Sequence, residues 1–287
     1  MRLRPVPLVL ALTCFALALA GGRPAEAAAG TESLVAAGEE LYVTGCASCH
    51  GVGGEGVRIV EGGGGVGEEV IGSAAGAGEL RGPSLQGAGA AGAYYYLSTG
   101  RMPLGDPSDQ PARKAPAYTP EEIDALVAYV ASLGDGPELP DISIDDDRVD
   151  LAEGGVVFRA NCQACHSAFG SGGALSYGRS APNLHSSDPL EVGAAVRAGP
   201  GQMPVFGPEA IDDEALDSVA AYVEFLRSPP NEGGLQIGRN GPVPEGFVIW
   251  LFGIGGLLLV TAWIGGRSPI RTARADDTDP PGPAEGP

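Results

Sequence analysis

Two short stretches decide how this chain is read: Cys46-Ala47-Ser48-Cys49-His50 and Cys162-Gln163-Ala164-Cys165-His166. They share one spacing and lie 116 residues apart, counted from Cys46 to Cys162. The likeness extends upstream, where Gly38, Leu41 and Tyr42 align with Gly154, Val157 and Phe158. Each stretch reads as a short helix running into the motif.

The likeness also extends downstream. Pro83-Ser84-Leu85 follows the first motif and Pro182-Asn183-Leu184 the second. Met102-Pro103 and Met203-Pro204 come next, 19 and 21 residues beyond Pro83 and Pro182. Each half then closes with an amphipathic helix. In the first, Thr119 caps, Pro120 takes the first helical position and Glu122 completes a capping box. Ile123, Leu126, Val127 and Val130 form the apolar stripe, and Gly134 ends the helix. In the second, Asp212 caps and Leu216, Val219, Val223 and Leu226 continue the stripe, with Tyr222 aligned to Tyr129. The halves differ after the first motif, where a Gly-rich run from about Val52 to Gly78 reads as a surface loop.

Cys-x-x-Cys-His reads as a c-type haem attachment site. Two thiols add to the vinyl groups and the adjacent histidine binds iron from the same turn. A redox Cys-x-x-Cys would need neither histidine. Zinc would need four ligands per metal, whereas pooling both motifs offers six. The expectation is two covalently bound haem c, one on Cys46 and Cys49, the other on Cys162 and Cys165. His50 and His166 are the proximal iron ligands. The chain has three methionines including the initiator. The other two, Met102 and Met203, fall at equivalent places before a proline and are read as the distal ligands. His/Met ligation raises the reduction potential and closes the iron to substrates, which favours electron transfer. Pro83 and Pro182 are read as carbonyl acceptors for the proximal histidines. Arg101 and Gln202, each just before an axial methionine, are candidates for polar contacts at the haem. His185 is read as a polar loop residue. No catalytic residue is expected.

The ends carry their own signals. Residues 1–29 read as an export signal: Arg2 and Arg4, an apolar run over Val6–Ala20, and a small-x-small site at Ala25-Glu26-Ala27. An uncleaved N-terminal anchor is the alternative. Phe247–Ile264 is uncharged, long enough to cross a bilayer, and carries Trp250 and Trp263 near its ends. Arg267, Arg271 and Arg274 follow, which places the tail in the cytoplasm and the domains outside the cell membrane. The domain plan is 1–29 leader, 32–134 first haem domain, 135–150 acidic linker, 151–228 second haem domain, 229–246 linker, 247–266 transmembrane helix and 267–287 cytoplasmic tail. The net charge of -19 argues against nucleic-acid binding.

Longer motifs carry a resemblance: Gly82–Leu85 (GPSL), Thr99–Leu104 (TGRMPL), Phe158–His166 (FRANCQACH), Gly172–Leu184 (GGALSYGRSAPNL), Gly199–Gly207 (GPGQMPVFG) and Gly241–Trp250 (GPVPEGFVIW). On these the chain resembles the dihaem cytochrome c subunit of the actinobacterial-type cytochrome bc complex, over most of Gly38–Gly266. The resemblance implies an all-α fold of two tandem class I cytochrome c domains plus one C-terminal transmembrane helix. It implies an electron-transfer subunit of quinol–cytochrome c reductase, with no catalytic site of its own. Its implied partners are a cytochrome b subunit, a Rieske iron–sulfur subunit and a haem–copper cytochrome c oxidase. The residues do not show which haem meets the iron–sulfur partner; the resemblance suggests the first. A free-standing membrane-anchored dihaem carrier and the cytochrome subunit of a periplasmic dehydrogenase are the competing readings. A dihaem peroxidase is disfavoured, since it needs an open or His-ligated iron.

Overall fold

The computed structural model describes residues 24–59, 68–69, 79–106, 110–145, 147–230 and 242–266. Two compact units emerge, residues 1–231 and 232–287. The first unit holds both repeats.

In the first repeat, α1 (Pro24–Gly45) leads into the single turn α2 (Ala47–His50). It begins inside the stretch read as a leader, whose residues 1–23 lie outside the described part. Helices α3 (Gly89–Ser98) and α4 (Pro120–Ser132) complete the repeat. Helix α4 starts on a full capping box: Thr119 accepts from the Glu122 N–H, and the Glu122 carboxylate accepts from the Thr119 N–H at 2.8 Å. Its stripe of Ile123, Leu126, Val127 and Val130 is buried against Tyr42, Ala93 and Leu97.

Helices α1 and α4 cross at a glycine. A Cβ at Gly38 would lie 2.0 Å from the Ala125 carbonyl oxygen. The Tyr42 ring then meets Tyr129 at 5.0 Å between centroids.

The second repeat copies this plan with α5 (Leu151–Asn161), the turn α6 (Gln163–His166), α7 (Pro189–Ala198) and α8 (Asp213–Arg227). A Cβ at Gly154 would lie 2.0 Å from the Ser218 oxygen. Phe158 meets Tyr222 at 5.4 Å. Asp212 caps α8 by accepting from the Ala215 N–H at 2.9 Å. The core gathers Phe158, Val192, Val196, Leu216, Val219 and Val223.

The all-α expectation needs one correction. The Gly-rich run is not wholly loop: β1 (Val57–Ile59) pairs antiparallel with β2 (Glu68–Glu69) and with β3 (Glu79–Gly82). A second pair, β4 (Gly173–Ala174) with β5 (Ser180–Ala181), follows the second motif. Ladder hydrogen bonds satisfy backbone groups that a loop pressed against a domain would leave unpaired.

Residues 135–145 and 147–150 do not hang free. Ile142 and Ile144 pack against the second core, and the Ser143 N–H donates to Asp217 at 3.1 Å. The Ala91 N–H donates to the Pro137 carbonyl at 3.1 Å. The two repeats also touch directly through α3 and α7, where Ala91, Tyr95 and Ala194 are buried together. Small residues let these helices approach: a Cβ at Gly92 would sit 3.9 Å from the Ala198 Cβ. Arg113 forks onto the nearly buried Glu191 carboxylate across the seam, with Nη1 donating to Oε1 at 3.2 Å. Gln110 pairs both its amide groups with the Ser180 backbone, at 2.7 and 3.0 Å.

Among the described residues, the second unit is a helix. It begins at Pro242, within the stretch read as linker, and continues as α9 (Pro242–Ile249), a π-helical turn (Trp250–Ile254) and α10 (Gly255–Gly265). Residues 246–265 form a 20-residue segment of mean hydropathy 2.3, none of it buried within the protein. Exposed Leu257, Leu258 and Leu259 are costly in water and natural in lipid. The tail expected at 267–287 lies outside the described residues.

Candidate functional site

Each Cys-x-x-Cys-His is bent by its own backbone. The His50 N–H donates to the Cys46 carbonyl at 3.0 Å, and the His166 N–H to Cys162 at 2.9 Å. One helical turn therefore presents two sulfurs and an imidazole together. The chain leaves that turn through a positive φ, at Gly51 (81°) in the first repeat. Ser167 (64°) holds the equivalent strained position in the second. The Tyr42 hydroxyl donates to the Gly51 carbonyl at 2.7 Å. Phe158 has no hydroxyl, and there Ser167 and Ser171 bond each other instead.

The histidines are oriented from behind. His50 Nδ1 lies 2.7 Å from the Pro83 carbonyl oxygen, and His166 Nδ1 lies 3.0 Å from that of Pro182. A carbonyl only accepts, so Nδ1 carries the proton and Nε2 keeps its lone pair. Burial holds both imidazoles below the usual histidine range, and the carbonyl contacts oppose it in part. A neutral imidazole is the form that binds iron.

Both sets open onto one cavity of about 1370 Å³. Cys46, Cys49, His50 and Met102 line it from the first repeat; Cys162, Cys165, His166 and Met203 line it from the second. Its walls include Leu85, Leu97 and Val130 on one side and Leu184, Val196 and Val219 on the other.

Haem fits these residues on two counts. The first thiol of each pair is half-buried: burial pushes Cys162 up to about 11, and Cys46 in the same direction. That suits a neutral thiol becoming a thioether better than a thiolate holding zinc. The second count is Arg101. It is 7% exposed, its guanidinium lies 4.8 Å from the Tyr95 ring centre, and its Nη1 has no hydrogen-bond partner. A buried cationic donor left unpaired is costly, and a haem propionate would satisfy it. Gln202, at the matching place in the second repeat, lines the cavity but is exposed. His185 lies away from the cavity lining, and its Nε2 contacts the Phe169 carbonyl at 2.7 Å.

Motif reading does not find the groups that hold the methionine loops. The Met102 N–H donates to the Tyr96 carbonyl at 3.1 Å, and Lys114 Nζ donates to the Pro103 carbonyl at 2.7 Å. In the second repeat the buried Arg197 does more. Its Nη1 donates to the Phe206 and Ile211 carbonyls at 3.0 and 2.7 Å, and its Nη2 to Asp213 at 2.7 Å. Phe206 is three residues past Met203, so Arg197 pins the far end of the ligand loop. Arg197→Gln is expected to cost about 2–3 kcal/mol, because two carbonyls lose a charged donor. Denaturant unfolding of the haem-loaded protein checks this. Tyr118 is also informative: it lines the cavity beside Cys46, and a Cβ at Gly45 would lie 2.3 Å from its hydroxyl oxygen. No local signal marks these residues, because their partners are brought by packing.

Fold and site together define a c-type cytochrome, a protein that binds haem c covalently. Residues 35–134 match the family model for cytochrome c, and residues 149–223 match that for cytochrome c oxidase, cbb3-type, subunit III. The cytochrome bc1 complex cytochrome c subunit of Mycobacterium tuberculosis is 36% identical over 272 residues, covering 90% of each chain. That of Corynebacterium efficiens is 34% identical over 252 residues, covering 83% of this chain and 78% of the relative. A cytochrome c6 of Leptolyngbya boryana is 42% identical over 77 residues, 26% of this chain. The chain belongs to the family of cytochrome bc1 complex cytochrome c subunits. It is thus an electron-transfer component of an oxidoreductase complex, and its apolar C-terminal helix fits membrane anchoring.

Proposed function

We propose that this chain carries two haems c and passes electrons from quinol oxidation, by way of a Rieske iron–sulfur protein, to a haem–copper cytochrome c oxidase. Cys46 and Cys49 hold one haem, with His50 and Met102 as axial ligands. Cys162 and Cys165 hold the other, with His166 and Met203. The observation that carries this reading is the pair of equivalent ligand sets opening on one cavity. The haems supply reversible one-electron storage. The residues do the rest: the thiols anchor, the histidines present unprotonated Nε2, and the methionines close the sixth position against other ligands. Arg101 holds a propionate in a water-poor pocket. The arginines after the apolar helix orient the chain with both haem domains outside the cell membrane. A cytochrome b subunit completes the set of partners.

The pyridine haemochrome assay tests the first part and should give two haems c per chain. Replacing Cys162 and Cys165 together by alanine should leave one. A native count of one refutes the two-haem reading. Purification of the anchored chain should bring down cytochrome b and the iron–sulfur subunit. A large dehydrogenase in their place, or a chain that purifies alone, would overturn the assignment to a quinol-oxidising complex.

A further inference from the structure

Residues 110–114, which follow the Met102 loop, face two ways. On their own side, Lys114 Nζ donates to the Pro103 carbonyl at 2.7 Å, and the Lys114 N–H donates to the Thr99 carbonyl at 3.2 Å. On the other side they grip the second domain twice. Gln110 Nε2 donates to the Ser180 carbonyl at 2.7 Å, and the Ser180 N–H donates to Gln110 Oε1 at 3.0 Å. Ser180 lies on β5, half of a two-stranded sheet, so the Gln110 amide stands where a further strand would pair. Strand β5 runs directly into Pro182, whose carbonyl orients His166. Arg113 donates through both terminal nitrogens to both oxygens of Glu191. That fork is the firm geometry for an arginine on a carboxylate. Glu191 is itself fixed to the start of α7, where its Oε2 accepts the Asp188 N–H at 3.1 Å. Gln110, Arg113, Ser180 and Glu191 all line the shared cavity.

We propose that Gln110 and Arg113 form a clasp that fixes the separation of the two haems, and that they are thereby positioning residues for electron transfer between them. This rests on the two-haem reading of the ligand sets. Domains joined by a linker move against each other unless their interface holds them. Here the carboxylate of the ion pair is only 6% exposed, so salt screens it less than a surface pair. The anchor points distinguish the clasp from general packing. One end stands on the segment that pins the Met102 loop. The other stands on the strand leading to Pro182 and on α7. The clasp therefore joins the methionine side of one site to the histidine side of the other. The step it serves moves one electron: one iron goes from ferrous to ferric as the other goes from ferric to ferrous, and no bond is made or broken. The rate of such a step falls steeply with distance, so holding the separation holds the rate.

The test uses the full anchored chain with both haems loaded and Cys14→Ser. Spin labels go on Val43→Cys of α1 and Val156→Cys of α5, exposed positions in the first and second domains. Pulsed electron paramagnetic resonance reads the label-to-label distance, and rapid photoreduction starts electron transfer between the haems. Gln110→Ala with Arg113→Ala should broaden the distance distribution and slow the transfer several-fold, with both midpoint potentials unchanged. Gln110→Ala alone leaves Glu191 partnered, so it avoids a buried unpaired carboxylate. It should move both readouts the same way by a smaller amount, and it decides the matter if the double variant does not fold. A native distance distribution in these variants overturns the clasp. A broadened distribution with a native rate overturns the role in electron transfer. Slower transfer with shifted midpoints would place the two residues in a haem pocket rather than the seam, and also overturns the proposal. A haemochrome count of one per native chain overturns the two-haem reading and the clasp's role with it; every other failure leaves that reading standing.

Discussion

Gly154→Val is expected to cost about 3 kcal/mol or more and to disrupt the second haem domain. The Cβ alone would lie 2.0 Å from the Ser218 carbonyl oxygen and 2.5 Å from its carbon, and both are helix backbone that cannot swing aside. Helix α5 would have to lift off α8, which opens the Phe158–Tyr222 contact and the core beneath it. Small domains have only about 5–15 kcal/mol to lose. Gly38→Val should do the same to the first domain, since its Cβ meets the Ala125 oxygen at the same 2.0 Å. Gly92→Ala is the contrast. Its Cβ finds only ordinary contacts, at 3.5 Å to Ala88, so it should be neutral or stabilising by up to about 1 kcal/mol. Denaturant unfolding followed by the haem absorbance measures all three. Gly154→Val and Gly92→Ala of equal stability would show that the helix crossing is not the constraint.

Met203→Leu should lower the midpoint potential of one haem by about 0.1–0.3 V and leave the other in place. The swap conserves volume and apolar character, so it should cost less than about 1.5 kcal/mol of stability. What it removes is the soft thioether, which favours ferrous iron. Axial ligation spans about 0.8 V across haem proteins, so the shift is a moderate part of the range. Met102→Leu should move the other midpoint. A potentiometric titration resolves the two waves, and a variant with both waves unmoved would remove that methionine from the iron.

The candidate site and the helix plan differ in how far they could be read. The attachment motifs, the Pro-x-Leu segments and the Met-Pro pairs were visible because each does its work within a few residues. The capping residues Thr119, Glu122 and Asp212 are equally local, and the structure has each in place. The small sheet built on β1 and β3 was not visible, because a Gly-rich run has no alternating pattern of apolar side chains to betray a strand. Nor was the ordering of residues 135–145 and 147–150. Their acidic, proline-containing composition reads as a spacer, yet Ile142 and Ile144 find a core to enter.

By itself, then, the sequence determined that this is a tandem c-type cytochrome with an apolar C-terminal helix. The thiols and the histidine share one helical turn, and the repeat declares itself by spacing. Only the tertiary structure decided that both ligand sets open on one cavity. It alone brought Arg113 to Glu191, 78 residues away, and Gln110 to Ser180, 70 residues away. The physical reason is range. Covalent geometry and hydrogen bonds within a turn act between near neighbours in the chain. Contacts across a domain seam exist only once packing has brought distant segments together.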